Sequence, residues 1–288
     1  MASMRDIKRR RASVQSTGQI TKAMKLVATV KLQKAKNRAL QSKEYFNCMY
    51  KTVISLLAKS ANTNNIYTKE SESKRKAIVV ITSNRGLAGG YNSNVVKLIT
   101  QNEELIKEDL DIYAIGKKGQ EFLARRGYNI VEDRSELMEE FTYADAIKVC
   151  NKLLASYEKG EVGEIYIAYT NFKNTVSHIP TLLKLLPILE TDDDSMDEGK
   201  NDDLIMNFEP DDEEALKLII PKYVASLLHG ALIEATAAEN GARMQAMDSA
   251  TNNAEEMIDK LTLKYNRARQ GSITQELTEI IAGAEAIS

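Results

Sequence analysis

Apolar positions in the first part of the chain recur at helical spacing. Up to Leu57 there is no proline and only one glycine, Gly18, so nothing breaks a continuous helix. The pattern predicts one helix of about 55 residues, about 80 Å long at 1.5 Å per residue. The apolar residues that indicate it are Ile20, Met24, Val27, Ala35, Ala39, Phe46, Met49, Val53 and Leu56.

The pattern changes at residue 77, after a polar linker. Strand-like and helix-like segments alternate from there to about residue 189, which is typical of a mostly parallel sheet covered by helices. The predicted strands are 77–82, 110–116, 129–133, 164–172 and 178–189. The predicted helices lie near 92–107, 117–126 and 142–158.

A second long helix is predicted for the last part of the chain, from about residue 210 to 287. It is preceded by an acidic segment, 191–203, which we expect to be a solvated loop, and by "LIMNF" (204–208), a possible short strand. Pro221 is expected to kink this helix or to delay its regular part.

The apolar seam of this second helix is rich in alanine, which lets a partner helix approach closely. Its mean spacing is about 3.7 residues, more than the 3.5 of a strict heptad, so strong left-handed supercoiling is not predicted. The seam residues are Leu227, Ala231, Ala235, Ala238, Ala242, Ala246, Ala250, Ala254, Met257, Leu261, Tyr265 and Ala268.

Two long helices at the two ends of the chain, with an α/β unit between them, predict an antiparallel coiled coil. The predicted parts are residues 1–60, 77–209 and 210–288. The alternative is that the two helices dock on different surfaces of the α/β unit.

Charge is distributed unevenly along a nearly neutral chain. Residues 1–43 carry 12 Lys or Arg and one acidic residue, whereas residues 190–214 carry 13 Asp or Glu and one Lys. Only two cysteines are present, Cys48 and Cys150, too few for a disulfide framework or a CxxC metal site. We find no secretory signal and no uncharged apolar run of about 18–20 residues, so no membrane span is expected.

A glycine-rich turn, "SNRGLAGGYNSN" (83–94), follows the first predicted strand and leads into a helix. That arrangement cradles phosphates in nucleotide-binding folds. However, no Lys follows its last glycines, as a P-loop requires, and the spacing is not that of a dinucleotide fingerprint. The turn is therefore interpreted as structural, with Asn92 or Ser93 capping the helix.

Other catalytic or metal-binding patterns are not evident. His178 and His229 are the only histidines, and neither has neighbours that indicate a triad or a metal site. The acidic run lacks the spacing of a calcium loop. The basic first helix could bind nucleic acid, but it has no aromatic residue before Tyr45 on which bases could stack. An acidic protein surface is the other partner that its charge suits.

Four stretches of the sequence resemble the γ subunit of rotary F-type ATP synthases, in the family's order and over the whole chain. The family usually has Gln-Lys at Gly18-Gln19, Asp at Asn84, and often Cys at Ala88. The matching stretches are "ASVQSTGQITKAMKLVATVKLQKA" (12–35), "SNRGLAGGYN" (83–92), "ENGARMQAMDSATNNAEEMI" (239–258) and "LTLKYNRARQGSITQELTEIIAGAEA" (261–286).

The resemblance implies a rotor shaft without catalytic residues, cofactor or metal of its own. The implied fold is an antiparallel coil of the N- and C-terminal helices with a central Rossmann-like α/β domain. The coil would lie inside a ring of three α and three β subunits, and the globular end, with ε, on the membrane ring of c subunits. The implied location is peripheral, at the cytoplasmic face of the cell membrane.

The resemblance also implies which residues contact β. Met24 and Lys25 match positions that face an acidic lever of β, and Arg269 and Gln270 match positions that contact a β loop. The closing stretch "ITQELTEIIAGA" would form a tip held in an apolar bearing. Two other functions stay open from the residues alone: a nucleotide-sensing α/β protein with helical arms, and a nucleic-acid-binding coiled-coil protein.

Overall fold

The computed structural model describes residues 4–59, 66–68, 71, 73–138, 140–188 and 212–285. The chain forms two compact units, one of residues 1–30 with 243–288 (the coil unit) and one of residues 31–242 (the α/β unit). Each long helix contributes to both units, whereas the predicted division followed the order of the chain. The predicted acidic loop 191–203 and the possible strand 204–208 lie outside the described residues.

The described part of the chain contains five α-helices, five strands and two short 3-10 helices, Lys107–Asp109 and Ser135–Met138. The helices are α1 (Met4–Lys59), α2 (Tyr91–Thr100), α3 (Lys117–Arg125), α4 (Tyr143–Glu158) and α5 (Asp212–Glu285). The strands are β1 (Lys76–Ile81), β2 (Leu110–Ile115), β3 (Asn129–Asp133), β4 (Glu164–Phe172) and β5 (His178–Leu186). The helix predicted near 92–107 ends early, at Thr100, and α5 continues through Pro221.

The strands form one sheet in the order β3-β2-β1-β4-β5. β1 pairs in parallel with β2 and β4, and β2 in parallel with β3. β5 is an antiparallel edge strand that pairs with β4. The predicted mostly parallel sheet is thus confirmed, and β1 lies at its centre.

Helices cover both faces of this sheet. On one face, α4 and residues 220–235 of α5 pack against Val79, Ile165 and Ile167. On the other face, α2 and α3 pack against Ile78, Val80 and Ile112. Because both faces are covered, β1 is buried at every position after Lys76, which explains its uninterrupted apolar sequence.

The coil unit consists of two antiparallel helical segments. Apart from Met24, the buried and half-buried positions of α1 here advance in alternating steps of three and four residues: 4, 7, 11, 14, 18, 21, 25 and 28. Apart from Thr262, those of α5 beyond residue 253 do the same: 254, 258, 261, 265, 268 and 272. These are heptad steps, as in left-handed coiled coils, whereas the predicted mean spacing of about 3.7 was taken over all of residues 227–268.

Some of the apolar residues that indicated the helices face outward. Ile20 and Val27 on α1 are 57% and 58% exposed. Met257 on α5, which was assigned to the seam, is 51% exposed. The inward positions of α1 include the polar or small residues Arg11 and Gly18, so apolar character alone did not define the inward face.

Glu234 on α5 is a carboxyl group held inside the α/β unit. Burial raises its pKa, and a hydrogen bond from Tyr169 opposes that only in part. Its Oε2 atom is buried without a hydrogen-bond partner among the described residues. Since the native state holds this proton more tightly than the unfolded chain, the group contributes stability below its ordinary pKa of 4.5, and that contribution is lost as the pH rises through the raised value.

We therefore expect Glu234→Gln to stabilise the chain at pH 7, by about 1 kcal/mol, because a neutral amide removes the buried charge and keeps an oxygen for Tyr169. Urea unfolding at several pH values would measure this. The advantage of the variant should shrink as the pH is lowered towards 4.5. A variant that is less stable than wild type at pH 7 would contradict the prediction. Glu239→Gln, on the same helix, is the matched control.

Candidate functional site

Two parts of the molecule are candidates for the functional site: the coil unit, which carries the four predicted contact residues, and the glycine turn of the α/β unit. Each is described by itself.

The four predicted contact residues lie at two levels of the coil unit. Met24 and Lys25 are half-buried on α1, and Lys25 Nζ lies 2.5 Å from Asp248 Oδ1 of α5. Arg269 and Gln270 are exposed on α5. From Asp248 to Arg269 the helix rises by about 32 Å at 1.5 Å per residue. The structure therefore brings Met24 and Lys25 together and keeps them apart from Arg269 and Gln270.

The two helices are antiparallel, so successive contacts move forward along α1 and backward along α5. A Cβ on Gly18 would lie 3.3 Å from the Cβ of Ala254. One turn further along α1, the hydroxyls of Thr21 and Thr251 are 2.8 Å apart. The Lys25–Asp248 ion pair follows on the next turn, and nearer the start of α1 the Arg11 guanidinium lies 5.8 Å from the ring centre of Tyr265.

Large apolar side chains are exposed on the outside of the coil unit. Four of them cluster on α1: Ile20, Leu26, Val27 and Val30, each more than half exposed. Others form a stripe near the end of α5, at Ile273, Leu277, Ile280 and Ile281. The steps of the stripe place these residues on one side of the helix. Clustered apolar surface of this kind marks sites of contact with other proteins.

In the α/β unit, the side chains of two residues just after β1 hold the start of α3. Asn84 Oδ1 accepts the backbone N–H of Lys117 at 3.1 Å, and its amide nitrogen donates to the carbonyl of Ser135 at 2.8 Å. Thr82 Oγ1 accepts the N–H of Gly119 at 2.8 Å. These side chains occupy the helix N-terminus, where an anion would otherwise bind.

The helix after the glycine turn is not capped as predicted. Its N-cap is Gly90, without a side-chain cap. Asn92 Oδ1 instead accepts the N–H of Ser83 at 2.9 Å, and the Ser93 hydroxyl donates to the carbonyl of Gly90 at 3.0 Å. The turn contains one non-glycine residue with positive φ, Leu87 at 63°, and this leucine is 63% exposed.

Helix α5 fills the place where a doubly wound fold binds its ligand. That place is the crevice at the carboxyl ends of the strands where the strand order reverses, here between β1 and β4. Ala88 and Tyr91 of the turn are buried against Ala238 of α5, and Tyr91 Oη donates to the carbonyl of Ala235 at 3.1 Å. The alanine seam was expected to admit a partner helix, but here it packs against the turn.

The titratable groups elsewhere in the α/β unit have pKa shifts that burial and neighbouring side chains explain. Burial would raise the pKa of Glu164, but hydrogen bonds from Lys184, Lys76 and Tyr166 lower it to about 2. Burial lowers the pKa of both His178 and His229. Among the described residues, no three His, Cys, Asp or Glu side chains are placed to hold a metal ion.

The two cysteines differ in their surroundings. Cys48 is exposed, and Cys150, on the inner face of α4, is fully buried in the core. Burial raises the pKa of the Cys150 thiol to about 12, so it is not a reactive thiolate at neutral pH.

One 18-residue stretch within Leu218–Ala284 of α5 is apolar enough to cross a membrane by composition alone. Of this stretch, 56% is buried inside the protein. The same helix supplies Val224, Leu228 and Leu232 to the core, all with 0% exposure. A buried core helix passes the same criterion, so this is weak evidence for a span.

Comparison with known proteins gives one consistent result. The family model described as ATP synthase matches residues 3–287. The ATP synthase gamma chain of Lachnoclostridium phytofermentans is 62% identical over 295 residues and covers all of both chains. The sodium ion specific ATP synthase gamma chain of Acetobacterium woodii is 41% identical over 99% of each chain.

Solved structures with the same fold are rotor components. A chain in the rotor of the Euglena gracilis mitochondrial ATP synthase, in rotational state 1, matches with a TM-score of 0.66 and 18% identity, covering 94% of this chain and 98% of that one. A chain from the central stalk and c ring of the Tetrahymena thermophila enzyme matches with a TM-score of 0.60 and 22% identity, covering 80% and 99%.

The fold is thus that of a stalk protein, a class in which a two-helix coil is joined to a doubly wound domain. The identity over the full length is more specific: the chain belongs to the family of ATP synthase gamma chains. It is a non-catalytic subunit of the central stalk of F-type ATP synthase, and catalysis lies in other subunits. The predicted family, fold class and function are confirmed.

Proposed function

We propose that the coil unit transmits torque between a membrane ring of c subunits and three catalytic β subunits. One copy serves three α and three β subunits, with ε bound beside the α/β unit. The chain is peripheral, at the cytoplasmic face of the cell membrane. The observation that carries this proposal is the outward apolar surface of the coil unit, because a two-helix coil that turned freely in water would expose polar side chains there.

The charge of the first helix supports the same proposal. Lys8, Arg9 and Arg10 are exposed at its start, and a basic helix suits an acidic surface on a partner protein. The exposed stripe at Ile273, Leu277 and Ile280 gives the end of α5 an apolar surface that a bearing of apolar residues can hold while it turns.

We further propose that Met24, Lys25, Arg269 and Gln270 contact β. Arg269 and Gln270 are exposed, and their guanidinium and amide groups can bind loop carbonyls or a carboxylate. The ammonium group of Lys25 is already paired with Asp248. We therefore assign its contact with β to the exposed methylene part of the side chain.

Co-expression with α and β tests the shaft proposal. The expected result is one complex with one copy of this chain per three α and three β, whose ATP hydrolysis depends on this chain. A chain that stays separate from α and β during purification would overturn it.

The double substitution Arg269→Ala with Gln270→Ala should leave assembly intact and slow turnover several-fold. Each hydrogen bond to a charged group is worth about 1.5–3 kcal/mol, which is small beside the contact surface of the whole shaft. Turnover, however, depends on how strongly one orientation of the shaft is preferred. The measurement is the ATPase rate of the purified complex, with Gln245→Ala, exposed on the same helix, as control. A wild-type rate in a fully assembled double variant would contradict the site assignment only.

A further inference from the structure

Three contacts on successive turns join the two helices of the coil unit. Gly18 approaches Ala254, Thr21 bonds to Thr251, and Lys25 pairs with Asp248. Two of the three contacts are polar, although a coiled-coil seam normally carries apolar side chains. Polar residues at a seam lower stability but select one register over others. We therefore consider which registers these residues allow.

The two threonines form an interhelix hydrogen bond at a buried position. Thr21 is 8% exposed, and its Oγ1 lies 2.8 Å from that of Thr251. Each hydroxyl also has a carbonyl of its own helix within 3.0 Å, that of Gly18 for Thr21 and that of Met247 for Thr251. The two hydroxyls have two protons for these three contacts, so one hydroxyl makes the bond between helices while the other bonds to its own backbone.

A slip of one heptad would remove these contacts. Sliding α5 in one direction sets Leu261 against Gly18 and Ile258 against Thr21; sliding it in the other sets Met247 and Met244 there. At Gly18 a single Cβ would already lie 3.3 Å from Ala254, so neither Leu nor Met fits without separating the helices.

The ion pair contributes to this selection, but not alone. Its side chains are 40% and 47% exposed, and such pairs are weak. In one of the two slipped registers Lys25 would meet Glu255, which preserves a pair; in the other it would meet Gly241, which does not. The close approach at Gly18 and the hydroxyl pair exclude the first slip, and all three contacts exclude the second.

We propose that Thr21, Thr251, Lys25 and Asp248, the register clamp, hold the two helices in one register so that the coil turns as one body under load. In the clamp they act as positioning residues within the chain: the ammonium group of Lys25 pairs with Asp248, and only its methylene part is assigned to the contact with β. The inference rests on the proposed torque function for the meaning of load, but the register itself is a property of this chain.

Charge exchange separates the register clamp from a contact with β. Complexes with α and β would be prepared with wild-type chain, Lys25→Asp, Asp248→Lys and the double exchange, and ATP-driven rotation would be measured at increasing viscous load. We expect Asp248→Lys to rotate normally at low load and several-fold more slowly at high load. Lys25→Asp should also be slow at high load, and the double exchange should recover most of the rate that Lys25→Asp loses. Lys22→Asp, exposed on the same helix, controls for the change in net charge.

Two results would overturn the proposal. If the double exchange is as slow as Lys25→Asp, the lysine charge acts outside the chain. If both single variants match wild type at every load, the ion pair has no mechanical role.

Cysteine pairs test the register without α and β, in the full chain with Cys48→Ser. Thr21→Cys with Thr251→Cys should form a disulfide rapidly on mild oxidation, and Thr21→Cys with Ile258→Cys, one heptad away, should not. Equal yields from the two pairs would show that the register is not fixed and would overturn the clamp. If the chain fails to assemble with α and β but crosslinks as expected, the proposed function fails while the register holds.

Discussion

Gly116→Ala should destabilise the α/β unit by at least about 4 kcal/mol, which is exceptional for a single methyl group. Gly116 has φ of 109°, a conformation that L-residues rarely adopt, and a Cβ there would lie 2.0 Å from the carbonyl oxygen of Thr82. Relief would require moving the end of β1 away from the start of α3. Urea unfolding followed by circular dichroism would measure the loss.

Gly160→Ala is the matched control for this prediction. Gly160 also has positive φ, 72°, but its Cβ would meet no atom within 4 Å. Gly160→Ala should therefore lower the stability only by the conformational strain, about 1–2 kcal/mol. If the two variants lost equal stability, crowding against Thr82 would not be the cause. Should Gly116→Ala yield no soluble chain while Gly160→Ala does, the expected order is still met.

Ala238→Leu should destabilise the α/β unit by about 2–3 kcal/mol, because it forces three extra carbon atoms into a filled contact. Ala238 has 0% exposure and packs against Ala88 and Tyr91 of the glycine turn. Displacing α5 would also break the hydrogen bond from Tyr91 to the carbonyl of Ala235. Thermal unfolding of the purified chain provides the measurement.

The same substitution at an exposed alanine is the control. It shows whether the loss of stability comes from crowding at Ala238 or from replacing alanine by leucine in any helix. Ala124, on α3, is exposed, and Ala124→Leu should be close to neutral because leucine is nearly as good a helix former as alanine. Equal stability of Ala238→Leu and wild type would mean that α5 is not tightly packed on the turn.

The glycine turn shows how a fold can keep a binding topology without the binding site. The strand order reverses at β1, where related folds hold nucleotides, but Ala88, Tyr91 and Ala238 occupy that crevice. Asn84 and Thr82 take the backbone donors at the start of α3. The glycines therefore serve backbone geometry, and the absence of a phosphate site, which the missing motif residues predicted, stays a prediction.

Some residues of the coil unit were singled out from the sequence, and others were missed. Met24, Lys25, Arg269 and Gln270 came from the resemblance, and their contacts with β stay a proposal. Asp248, Thr21 and Thr251 were missed, although two series at heptad spacing, 18-21-25 and 248-251-254, carry complementary residues. The signal was overlooked because only apolar residues were followed along the helices. Two of those residues, Ile20 and Val27, are exposed on the outer surface and do not face the other helix.

The set of elements and their order could be predicted from the sequence. The absence of proline and glycine, the helical and strand periodicities and the buried β-run of 77–81 are local properties, so the two long helices and the alternating α/β part could be read from them. The family, too, was evident from four sequence stretches.

Which faces of the helices meet could not be predicted, because it depends on contacts between residues that are far apart in sequence. Lys25 and Asp248 are 223 residues apart in sequence, and no local rule states that one turn of α1 faces one turn of α5. The same holds for Ala238, whose partner is a turn and not a helix. Small side chains are compatible with many neighbours, and the choice among them depends on packing the whole unit at once.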